Sequence, residues 1–205
     1  MNDNRYRTAA VLVLVKLGLV LLMLLFMLLA GSAGSWTPGA ALFRAGVLVA
    51  AGGLEAYILL ALRRLLWELY DFHHTDVIIA VLAVAAVVLE VLNQATELAQ
   101  VLDPGRSSSY IAARILLVIL PWGIIIIVFA AGLLKLPFPE KSLLRPYALV
   151  NLAAGILLVA TLAALAAPVL GLILFPFLLL AEVGSAVLLA LVFLRSRETE
   201  QVDFV

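Results

Sequence analysis

The sequence predicts an all-α fold, a polytopic bundle of six transmembrane helices. Three observations carry that expectation. Hydrophobic residues make up 66% of the 205 and the mean hydropathy is +1.22. Charged residues amount to only 13%, against roughly 25% in ordinary globular domains. The apolar residues also fall into six long stretches, each close to the roughly 20 residues a helix needs to cross a bilayer. A membrane barrel would instead show short alternating segments. Continuous apolar runs satisfy their backbone groups in lipid only as helices, so residues 1–205 read as one transmembrane helical domain.

The first span is expected at residues 8–30. Its basic start at Arg5 and Arg7, its apolar run and the small residues after it also fit a cleaved signal peptide, although the stretch is long enough to span. The second, residues 41–62, follows a small-residue loop and carries Gly46, Ala50 and Gly53 at helical spacing, with Gly52 and Ala56 beside them. Small residues let backbones approach; Ala160, Ala164 and Ala167 repeat the pattern on the fifth span, so spans two and five are expected at helix interfaces. Residues 77–102 form the third span and 111–134 the fourth, separated by the turn Asp103-Pro104-Gly105 and a serine run. A basic, proline-punctuated loop leads to the fifth span at 147–167. Little but Pro168 separates it from the sixth at 169–194, so these two form a tight antiparallel hairpin. Pro121 and Pro176 lie deep in spans four and six, where proline removes a helical hydrogen bond and favours a kink.

Lysine and arginine counts near span ends set orientation. One side carries nine (Arg5, Arg7, Arg63, Arg64, Lys135, Lys141, Arg145, Arg195, Arg197) and the other three (Arg44, Arg106, Arg114). Both termini are therefore expected in the cytoplasm, in a bacterial or archaeal plasma membrane. Tyr6, Trp67, Tyr70 and Tyr147 at the inner boundary, with Trp36 and Tyr110 at the outer, fit an aromatic belt.

Polar residues inside the spans are the candidates for function, because a charge near the bilayer centre costs about 2.5–3.5 kcal/mol on insertion scales. Counting about 1.5 Å per residue, Glu90 and Glu182 fall near the midplane. Lys16 and Glu55 fall at matching depth about 5–6 Å nearer the cytoplasm, which makes them a candidate structural ion pair. On span three, Glu90, Asn93, Glu97 and Gln100 recur at helical spacing and share a face, with Gln94 and Thr96 flanking. The opposite face, Val84, Val87, Val88, Val91 and Leu98, is apolar enough to meet lipid or core. One lysine does not neutralise Glu55, Glu90 and Glu182 together, so an acid must be protonated, hydrated or matched by a ligand. The expected ligand-binding set is Glu90, Asn93, Glu97, Gln100 and Glu182, between spans three and six, with Glu90 as the functional acid. The structural alternative is that these groups simply bond one helix to the next.

Other motifs are scarce. Asp71, His73, His74 and Asp76 supply metal-ligating atom types, but adjacent helical residues diverge by about 100°, and a solvated helix boundary explains them better. There is no HExxH, GxSxG or P-loop. No histidine lies in a span to hold haem, and there is no cysteine. Gly31-Ser32-Ala33-Gly34 has no histidine in any span to activate its serine. No catalytic residue, metal or cofactor is expected. The short echo of Glu90-Val91-Leu92-Asn93 in Glu182-Val183-Gly184-Ser185 fits either an inverted repeat of three-helix halves or chance.

From about Leu133 to Arg195, a basic proline-containing loop, an apolar span and a last span with Glu182 ahead of Arg195 follow one another. In this the chain resembles an uncharacterised family of six-helix bacterial membrane proteins. In size and span count it also resembles the substrate-binding subunits of energy-coupling-factor vitamin importers, a likeness that carries over no binding residue. The function expected is a small-solute or cation transporter or the substrate-binding membrane subunit of one. The alternatives are a non-catalytic scaffold or partner subunit and, further off, an intramembrane enzyme acting on lipid. Expected partners are the lipid bilayer, a small-molecule or cation ligand, and a partner subunit or second copy. Zero net charge gives no reason to expect nucleic acid.

Overall fold

The computed structural model describes residues 3–30, 37–136, 142–165 and 167–202. Helix α1 spans Asp3–Ala30, α2 Pro38–Tyr70 and α3 Asp76–Leu102. The fourth crossing is composite: α4 (Ser107–Arg114), a π-helical stretch Ile115–Ile119, and α5 (Leu120–Leu133). Helix α6 (Leu144–Ala160) ends in a 3-10 stretch, Thr161–Leu165, and α7 runs Pro168–Val202. No strand occurs among the described residues. Among the described residues six helices are long and apolar enough to cross a membrane, and the protein is an integral membrane protein.

Local chemistry sets the ends. Helix α2 begins three residues ahead of the expected span, because the Thr37 hydroxyl accepts from the Ala40 N–H at 3.3 Å and Pro38 occupies the first turn, where its missing N–H costs nothing. It stops at Asp71, whose φ of 46° is left-handed, a conformation that aspartate tolerates better than most residues. Proline acts differently in the two spans that hold it. Pro121 sits just past the π-helical stretch, in which the Leu120 N–H reaches back to Ile115 C=O; the wider turn absorbs the donor that proline lacks. Pro176 lies within α7, which continues as one helix past it.

Each crossing packs against its neighbours in the chain, and α1 packs along α7, closing the six into a ring. Tyr6 stacks on Phe193 with ring centroids 6.2 Å apart, so the start of α1 and the end of α7 share one end of the bundle. That end holds the densest apolar core: Ala9, Leu62, Leu66, Ile79, Phe129, Leu133, Leu144, Ala148 and Phe193 are all nearly solvent-free. The perimeter carries the exposed apolar side chains, Val84, Val88, Leu172 and Leu180 among them. This distribution suits a hydrocarbon surround.

Helix contacts depend on glycines other than the expected ridge. At Gly46 and Gly53 a Cβ would meet nothing within 4 Å, and Ala50 is exposed; that face of α2 points away from the bundle. The close approaches are at Gly52, where a Cβ would lie 2.8 Å from the Ala86 carbonyl of α3, and between Gly123 and Gly155, each facing the other's backbone across α5 and α6. Spacing alone picks out small residues but not the face that meets a neighbour. On span five, Ala160 and Ala167 are exposed; the Ala164 side chain, like the whole of residues 31–36 and 137–141 with Trp36 and Lys141, lies outside the described residues.

Candidate functional site

A cavity of about 320 Å³ occupies the middle of the ring, with walls from all six crossings. Its position follows from where large side chains stop. On α2 the apolar core ends near Leu62 and Leu59, the cavity is lined by Glu55, Gly52 and Ala51, and buried Arg44 lies beyond. On α3 the same order runs from Ile79 through Glu90 and Asn93 to Gln94 and Glu97. The cavity thus sits between an apolar core at one end of the bundle and a polar cluster toward the other.

Lys16, Glu55 and Glu182 meet at one wall. The Lys16 ammonium lies 3.0 Å from Glu55 and 2.5 Å from Glu182, joining α1, α2 and α7. Glu182 therefore faces Lys16, which the closure of the ring brings beside it. The Glu182 side chain remains 40% exposed and Glu55 22%, so this carboxylate pair borders open space. Nearby, Asn151 of α6 donates to Tyr147 C=O and lies 3.0 Å from the Ser185 hydroxyl, and both Asn151 and Ser185 line the cavity. Tyr147 is 3% exposed and packs edge-on against Phe129. It is a wall residue rather than part of an interfacial belt.

The expected stripe on α3 divides in two. Glu90 lines the cavity and accepts from the side-chain amides of Gln94 at 2.5 Å and Asn93 at 3.4 Å. Glu97 does not line it. Its carboxylate is held by Arg44 of α2 and lies 3.5 Å from Arg114 of α4, with the Arg44 and Glu97 side chains only 5% and 7% exposed. Arg44 also donates to the Gln94 carbonyl at 3.4 Å. Gln100 lies farther along and bonds the Ser107 hydroxyl at 2.7 Å, fastening α3 to the start of α4. Only Glu90, Asn93 and Glu182 of the expected ligand set share the cavity, with Lys16 and Glu55 beside them.

Arg44 and Arg114 are the residues that sequence reasoning misplaced, by counting them with the outer loops. Each sits about one turn inside its expected span, where α2 and α4 already pack against α3. The detectable signal was an acid, Glu97, at the matching end of the intervening span. Their presence alters the charge balance: three cations (Lys16, Arg44, Arg114) stand against four carboxylates (Glu55, Glu90, Glu97, Glu182).

At the termini end, Arg64 and Tyr6 both bond Glu68, while Arg63 and the Trp67 indole converge on Asp76. His73 stands 3.2 Å from Asp71 and 3.6 Å from Asp76. Among the described residues no group of three or more His, Cys, Asp or Glu is placed to hold a metal. No family model, curated protein or solved structure matches the chain. The chemistry of the site rests on its own geometry.

Proposed function

We propose that the protein is a small-solute or cation transporter, or the substrate-binding membrane subunit of one, with its site in the cavity at the centre of the ring. The observation that carries this is a space of about 320 Å³ lined by Lys16, Glu55, Glu90, Asn93, Arg114, Asn151, Glu182 and Ser185. Polar groups in a spanning bundle are costly unless they bond one another or serve a polar passenger. A purely structural seam would close around them. Midplane placement, walls from every helix and an excess of carboxylate suit the holding of a cation or a proton-coupled solute. Excess of basic residues at the termini end supports an orientation with both termini in the cytoplasm, and the burial of Arg44 leaves the opposite loops with less positive charge than the sequence count gave them.

The competing reading, a non-catalytic scaffold or partner subunit, draws on the Arg44–Glu97–Arg114 cluster, in which both arginines are held by a carboxylate of the fold itself. Labelling separates the two. The chain has no cysteine, so Ser185→Cys places a single thiol at the cavity. In sealed vesicles a transporter gives labelling by a small impermeant thiol reagent from both faces, and a binding subunit from one. A sealed scaffold is labelled from neither, and that result would remove the transport reading.

A further inference from the structure

The charges around the cavity are not matched evenly, and the mismatch lies at one place. At the polar end Arg44 and Arg114 both pair with Glu97 and interact electrostatically with Glu90, two cations for two carboxylates. At the other wall Lys16 alone answers Glu55 and Glu182. One unit of negative charge is left there, beside the more exposed of the buried acids. An uncompensated charge in a low-dielectric interior is expensive, and a monovalent cation cancels it.

A second, independent feature lies on the same cavity. Arg114 Nε is buried and has no hydrogen-bond partner among the described residues, although Arg114 lines the space. A buried donor without an acceptor is unfavourable, and an acceptor on the occupant would satisfy it. The volume exceeds what a bare ion needs. Trp122, Phe129 and Leu89 supply apolar wall between the polar groups, suited to a short hydrocarbon.

We infer that the cavity takes a small organic monocation, an alkylammonium bearing a hydrogen-bond acceptor, with its ammonium at Glu182 and Glu55 and its acceptor toward Arg114. This rests on the reading of the cavity as a solute site and names the class of solute.

Calorimetric titration of the purified full-length protein in detergent tests it with four probes of one chain length: aminobutanol, butylamine, butanol and butyrate. Aminobutanol should bind tightest and butylamine about tenfold more weakly, the loss of one hydrogen bond to a charged donor. Butanol and butyrate should not bind. In Glu182→Gln both amines should weaken by at least about tenfold, since a charge-assisted contact is lost. In Arg114→Met the two amines should bind equally. Wild type alone decides if a variant does not fold. Binding of butyrate or butanol as tight as the amines overturns the inference while leaving a solute site standing, as does absence of any binding when Ser185→Cys still labels. Absence of both binding and labelling removes the solute site as well.

Discussion

Two clusters of the same side-chain chemistry flank the cavity, and they differ in almost everything except their atoms. Arg44, Glu97 and Arg114 are tucked among α2, α3 and α4, with Arg44 and Glu97 nearly solvent-free. Lys16, Glu55 and Glu182 join α1, α2 and α7 with one cation for two acids, and the Glu182 side chain is 40% exposed. They are separated by about 16 Å along α2 at 1.5 Å per residue. Desolvation sets the difference: where water is excluded, two arginines hold one carboxylate and Gln94 bonds one of them; where a cavity opens, one lysine faces two acids. A buried ion pair is weak evidence for net stability, but removing one partner strands the other. The enclosed Arg44–Glu97 pair is therefore the fastener, and the open cluster, with Arg114 across the cavity from it, the site.

The strongest break in this comparison is Glu97→Ala, which leaves two guanidiniums in the interior without their carboxylate. A loss of about 3–5 kcal/mol is expected, read by denaturant or thermal unfolding in detergent. A loss below about 1 kcal/mol, typical of exposed pairs, would make this cluster no more structural than a surface one. Lys16→Met should cost less, about 2–3 kcal/mol, because its stranded acids border the cavity and can be hydrated or protonated. Adding Glu55→Gln should restore part of that loss, with a coupling of about 0.5–3 kcal/mol; strictly additive losses would show that the two do not interact.

Gly52→Ala sharpens the contrast from the packing side. The new Cβ would meet Ala86 C=O at 2.8 Å and Glu90 Cβ at 3.3 Å, so α2 and α3 must part about two turns from the point where Arg44 and Glu97 hold them. About 1–3 kcal/mol should be lost, and non-additively with Glu97→Ala. Gly53→Ala, with open space around it, should be neutral or gain up to about 1 kcal/mol of helix propensity. The smallest effect is expected from Glu90→Gln. Glutamine keeps an acceptor for Gln94 and Asn93, so stability should change by about 1 kcal/mol or less. If amine binding in this variant equals that of wild type, the Glu90 charge is not used and the Lys16 wall carries the function.

The six crossings were legible because uninterrupted apolar runs of the right length leave a chain in lipid no other backbone solution. The proximity of Lys16 to Glu55 was legible for an equally simple reason: consecutive antiparallel helices put residues of equal depth side by side. Glu182 joining them was not, since nothing in hydropathy says that the first and last helices touch. Arg44 and Arg114 were hidden because each sits about one turn inside its span, where a count of basic residues assigns it to the nearest loop although its side chain reaches Glu97 on the neighbouring helix. The small-residue ridge failed for a third reason. Period identifies a face, but only the neighbours decide which face is inward, and Gly52 rather than Gly46 or Gly53 meets α3.

The seam between α1 and α7 bears on how the molecule is made. Lys16 and Glu182 are separated by 166 positions, so at synthesis rates of about 5–20 residues per second the lysine precedes its second carboxylate by roughly 8–33 s. For a chain inserted in order of synthesis, Lys16 enters the membrane with Glu55, one helix behind it, as its sole partner. Two helices can shelter that charge as a hairpin, and the ring stays open on one side until the last crossing arrives. The final carboxylate thus acts as a latch: the segment that completes the enclosure also completes the charge cluster inside it, so assembly and site formation are one event.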